Sequence, residues 1–131
     1  MAANLDKPLF DYLLRLGDSP LILAQRLGAW IGKGPILEED MALANVGLDL
    51  LGQARMWLSY AGEVESRFNG KGRDEDQLAF LRDGAEFRNL LIVEQPNGSF
   101  ADLVASAAAN FIAGSWRPIL TSRATAKCRR G

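Results

Sequence analysis

Residues 41–61, MALANVGLDLLGQARMWLSYA, decide how this chain is read. Apolar side chains recur there every three or four positions. No proline and no strand-like alternation interrupts them, so the stretch predicts one long helix. Three acids, Glu38, Glu39 and Asp40, stand just ahead of it, where the helix dipole favours negative charge. A helix over residues 38–65 would be about 40 Å long at about 1.5 Å per residue. With successive residues set about 100° apart, Leu43, Val46, Leu50, Ala54, Trp57, Ala61 and Val64 fall on one stripe. That stripe is the expected core seam of a helix bundle. Leu48, Leu51 and Leu58 form a second apolar strip, so the helix is expected to be central in its domain or shared with a partner.

The flanks read as further helices. Residues 8–16 predict a short one, with Pro8 in its first turn and Gly17 as its stop. Asp18 or Ser19 is then expected to cap a second helix over residues 20–32, which the Gly32-Lys33-Gly34-Pro35 breaker ends. Beyond the long helix, NGKGRDED at 69–76 is a solvated loop. Helices are expected over 75–83 and 85–93, then a turn at 94–98 where Pro96 and Asn97-Gly98 interrupt the pattern. Ser99 and Asp102 make an S-x-x-D capping box for a last helix to about residue 113. The fold class expected is all-α, with a helical domain over 1–116 and a basic, aperiodic, disordered tail over 117–131.

Composition narrows the function classes. A chain of 131 residues holds one domain with a modest core. Residues 1–116 carry ten basic and sixteen acidic groups, a net of −6, and residues 117–131 carry five basic groups and no acid. A basic nucleic-acid arm is the sharper reading of that tail, but five cations without interleaved aromatics are weak support for it, and no nucleic-acid partner is expected. No apolar run approaches the roughly 20 residues of a membrane span. The N-terminus lacks a basic segment ahead of its apolar residues, so a secretory signal is not read and a cytoplasmic protein is expected. Cys128 is the sole cysteine, which excludes an internal disulfide. Histidine is absent, so Ser–His and Cys–His nucleophile pairs are excluded as well.

Three segments together carry a resemblance: LGDSPLILAQRLGAW at 16–30, ALANVGLDLLGQAR at 42–55 with its preceding acids, and LLIVEQPNGSFAD at 90–102. In this order and spacing they resemble the C-subunit family of the phenylacetyl-CoA epoxidases. The resemblance implies a ferritin-like helical fold, of which this chain corresponds to the first half. It implies membership of a multicomponent oxygenase that epoxidises the ring of phenylacetyl-CoA in aerobic phenylacetate degradation. In such a complex the catalytic A subunit is the partner, carrying the di-iron cofactor and most of the CoA-ester site. The C subunit has a structural, non-catalytic role. A stand-alone helical interaction module and a non-functional truncated product are the alternatives.

The metal positions can be tested residue by residue. A ferritin-like di-iron site uses inward carboxylates and a Glu-x-x-His pair on one helix face. Matching the Gly47-Leu48 step of this chain to catalytic relatives puts Leu43 where the glutamate would stand and Val46 where the histidine would stand. Neither side chain can donate electrons to iron, so no metal and no cofactor is expected in this chain, and no catalytic residue. The polar residues Gln25, Arg26, Asn45, Asp49 and Gln53 are candidates for an interior network between the second and third helices, or for a wetter, partly exposed flank.

Overall fold

The computed structural model describes residues 3–115, with side chains from Leu5 to Ala109. It is all-α among these residues: α1 (Ala3–Gly28), α2 (Leu37–Asn69), α3 (Glu75–Phe80) and α4 (Phe100–Ser115), with two short 3-10 turns at Gly84–Glu86 and Leu91–Glu94. α1 and α2 form an antiparallel hairpin. Phe10 meets Phe68 edge to face, with ring centroids 5.7 Å apart. At mid-length Gly17 lies against Leu58, and further on Gly47 faces the Ala24 backbone.

The first departure from expectation is that residues 3–28 are one helix where two were expected. Gly17 does not stop it. Its missing side chain is the space that Leu58 occupies, since a Cβ there would meet Leu58 Cδ2 at 2.8 Å. Asp18 and Ser19 are not caps but buried mid-helix residues. Pro20 removes one helical N–H, a local penalty that burial of Leu13, Leu14, Leu21, Leu23 and Leu27 outweighs. The helix ends at Gly28, and Gly32 turns the chain with a left-handed φ of 85°. The Asp40 carboxylate accepts the N–H groups of Gly32 and Gly34 at 3.1 and 2.9 Å and ties that turn to the start of α2.

α2 is 33 residues long, longer than the pattern predicts at both ends. Its seam also differs in position. Gly47, Leu50, Ala54, Leu58, Ala61 and Val64 are buried, and Leu43 is half-buried. Trp57 and Val46, both expected in the core, stand at the edge of the contact and are 39% and 36% exposed. Leu58, expected on the far strip, is in the core. The seam differs because Leu58 rather than Trp57 fills the notch that Gly17 leaves on α1. Leu48 and Leu51 remain outside, as expected of the second strip.

Two core clusters result. One gathers Phe10, Leu13, Leu14, Leu21, Ala54, Leu58, Ala61, Val64 and Leu78. The other joins Leu23, Ala24, Leu27 and Leu50 to Val93 and Leu103. Trp30 packs at its edge, its ring tilted 59° to that of Phe100. α4 starts where its capping box predicts: Ser99 donates its N–H and hydroxyl to the Asp102 carboxylate at 2.7 and 2.8 Å. No described helix is long and apolar enough to cross a membrane. The expected tail at 117–131 lies outside the described residues.

Candidate functional site

The sequence predicts two helices after the 69–74 loop, over 75–83 and 85–93. Instead α3 ends at Phe80, and residues 87–90 run extended between the 3-10 turns. The cause is a buried polar junction on the back of α1. Asp18 and Arg82 form a two-pronged ion pair, with Arg82 Nη1 donating to Asp18 Oδ2 at 3.0 Å and Nη2 donating to Oδ1. Their side chains are 0% and 1% exposed. Arg82 Nε donates to the Leu78 carbonyl, and the guanidinium lies over the Phe87 ring, 4.3 Å from its centroid. The Arg88 N–H then donates to Asp18 Oδ2 at 2.8 Å, and the Leu90 N–H to Ser19 Oγ at 3.2 Å. Those two N–H groups would otherwise serve a helix, so α1 holds the segment open by supplying better acceptors. Farther along, Asn97 donates to the Arg26 carbonyl at 3.0 Å and Arg26 to the Glu94 carbonyl at 3.1 Å, fixing the turn to the end of α1.

A second junction sits at the far end of α2. Glu65 is buried there and accepts the Arg73 N–H at 3.1 Å and the Arg73 guanidinium at 2.9 Å. Burial works against charge on Glu65. The side-chain and backbone hydrogen bonds from Arg73, with its charge, outweigh burial and hold the carboxyl below its ordinary pKa. Glycines make the approach possible. A Cβ on Gly62 would collide with the Arg73 carbonyl, and one on Gly72 with the Gly62 carbonyl.

Neither junction follows from the sequence pattern. The sequence offers one usable signal, Asp18 and Ser19 inside an apolar helical stretch, but it reads equally as a helix cap. The candidate interior network fares differently. Gln25, Asn45, Asp49 and Gln53 are exposed, and Arg26 is directed to the 94–97 turn rather than to Asp49. The five do not come together as an interior network: the seam of α2 is rotated away from Asn45, Asp49 and Gln53, and Arg26 on α1 is half-buried against the turn. At the expected ligand positions, Leu43 is half-buried beside the second core cluster and Val46 is at the solvent edge. One turn before Leu43 stands Glu39, whose Oε2 is buried without a hydrogen-bond partner among the described residues. One carboxylate beside two hydrocarbons is not a donor set that fits a pair of irons.

The sequence of this chain has counterparts among known proteins. The family model described as "Phenylacetic acid catabolic protein" matches residues 1–128. The chain belongs to that family. It is 56% identical over 112 residues to the C subunit of the 1,2-phenylacetyl-CoA epoxidase of Escherichia coli (strain K12). The match covers 86% of this chain and 42% of that relative, so the chain spans less than half of the relative's length. The three segments singled out in the sequence all lie within the matched residues 1–128. The family so described includes a relative that is an epoxidase subunit.

Proposed function

We propose that this chain serves as a structural, non-catalytic subunit, or the first half of one, in a cytoplasmic multicomponent oxygenase acting on phenylacetyl-CoA. Its partner in this reading is a catalytic A subunit that carries the di-iron centre and most of the CoA-ester site. The observation that carries the reading is hydrocarbon at both metal-ligand positions, Leu43 and Val46, in a chain without histidine. To it is joined the 56% identity with the C subunit of an epoxidase. A bundle half whose ligand positions are apolar keeps packing surface where a catalytic relative keeps charge. Among the described residues no cluster of three or more acidic, histidine or cysteine side chains stands ready to hold a metal.

The test is co-expression of the 131-residue chain with a catalytic A subunit, followed by co-purification, metal analysis and an epoxidation assay. The reading expects a stable complex whose iron tracks the A subunit alone and whose turnover exceeds that of the A subunit without this chain. Iron bound stoichiometrically by the isolated chain would overturn the non-catalytic role. A folded chain that ignores the A subunit would favour a stand-alone helical module, and an unfolded one a product without function.

A further inference from the structure

α2 presents a second seam on its outer face. Asp49, Gln53, Met56, Tyr60, Glu63 and Arg67 follow one another at spacings of four, three, four, three and four, the repeat by which helices pair. All six are exposed. Met56 is 74% exposed, and Tyr60, like the flanking Trp57, is 39% exposed, so apolar and aromatic surface sits at the middle of the seam. The charges sit at its ends. Asp49 and Arg67 are eighteen residues apart, which at 3.6 residues per turn is five turns, so both lie on one line of the helix. Neither forms an ion pair among the described residues.

We propose that this face pairs with the same face of a second copy of the chain, antiparallel, about a two-fold axis at the level of Leu58. In that register Asp49 opposes Arg67 of the second copy, and symmetry makes the contact twice. Met56 opposes Tyr60 of the second copy, and Gln53 opposes Glu63. A parallel pairing would set Asp49 against Asp49 and Arg67 against Arg67, so charge selects the antiparallel arrangement. Two α1/α2 hairpins joined in this way make a four-helix assembly with α2 at its centre. The other bare strip of α2, around Leu48 and Leu51, carries no charge pattern that would select a partner. The homodimer stands apart from the oxygenase reading: a monomer that still binds the catalytic A subunit would sink the one and leave the other.

Sedimentation velocity on the full 131-residue chain in low salt tests it. One helix face against its copy is a small interface, so a dimer with Kd of about 1–100 µM is expected. Asp49→Arg and Arg67→Asp, each alone, should weaken association about tenfold or more by setting like charges together at both ends. The two changes combined should restore it. Both positions are exposed, and circular dichroism on each variant confirms that the fold is kept. A chain that stays monomeric at several hundred micromolar, as it would if residues 117–131 or a different protein covered this face, overturns the proposal. A double variant as weak as the singles overturns it too.

Discussion

The back of α1 and the outer face of α2 treat their side chains in opposite ways. On the back of α1 an aspartate and a serine are fully buried, and each meets a donor from residues 82–90. On the outer face of α2 a methionine and a tyrosine face solvent beside an aspartate. Polarity alone would assign these positions the other way round. What decides burial is which part of the chain is brought over a face. The 82–90 segment crosses α1 and brings its own cation and N–H groups, and no described element crosses the outer face of α2.

The largest expected effect tests the polar side of this contrast. Asp18→Ala strands Arg82 as a buried, unpaired cation and leaves the Arg88 N–H without its acceptor, so it should destabilise the fold by about 3–5 kcal/mol. Asp49→Ala, removing the same kind of group from the open face, should stay within about 0.5 kcal/mol. Urea melts of the two variants measure both. Equal losses would mean that the junction contributes no more than a surface charge. Replacing Asp18 and Arg82 together with leucines should be less damaging than Asp18→Ala alone, since no unpaired charge is left behind.

The next effect divides two neighbours in sequence. Leu58→Ala empties the notch beside Gly17 and should cost about 2–5 kcal/mol. Trp57→Ala removes a larger side chain that is already 39% exposed. It should cost less than Leu58→Ala, on the order of 1–2 kcal/mol. A Trp57 loss as large as that of Leu58 would restore the seam predicted from spacing and break the comparison.

That pair also shows how far the sequence can be read. Period and end signals identify α2, the capping box of α4 and the all-α class, because these depend on neighbours within a turn or two. The same local logic puts Leu50, Ala54 and Ala61 in the core, where the structure has them. The choice between Trp57 and Leu58 depends on which of them meets the notch at Gly17, forty-one residues upstream of Leu58. Likewise Asp18 and Arg82 are 64 residues apart. No local pattern joins them, so a local reading divides α1 at the residues that in fact fasten it to the segment beyond α3. The candidate polar network fails for the same reason, since its placement assumes the unrotated seam. That Leu43 and Val46 are hydrocarbon is readable because residue type alone settles that point. Their half-buried and edge positions are not readable, because both depend on the rotation of α2.

A smaller effect sharpens the contrast at the end of α2. Gly62→Ala would drive a methyl group into the Arg73 carbonyl of the returning loop, and backbone cannot swing aside as a flexible side chain can. A loss of about 1–3 kcal/mol is expected. Gly52 has open space around it, and alanine there should stabilise by up to about 1 kcal/mol through helix propensity. Thermal melts of the two variants should therefore move in opposite directions. Two shifts of the same sign would show that the 70–73 loop does not close on Gly62.

The smallest effect is a pH dependence at the same junction. Arg73 holds the Glu65 carboxyl below its ordinary value of 4.5, so the folded state releases that proton more readily than the unfolded chain. The stabilisation is complete above about pH 4.5 and is lost as pH falls through the lower folded-state pKa, because the unfolded chain takes up its proton first. Glu65→Gln keeps the shape, removes the titration and weakens the bonds to Arg73. It should be less stable than the parent by about 0.5–1.5 kcal/mol at pH 6. The difference should shrink as the solution is acidified past that ordinary value, where Glu65 in the parent also becomes neutral. Denaturant melts of both proteins across that range measure the gap. A gap that stays constant with pH would show that Glu65 contributes through its hydrogen bonds and not through its charge, and would set this junction apart from the buried Asp18–Arg82 ion pair.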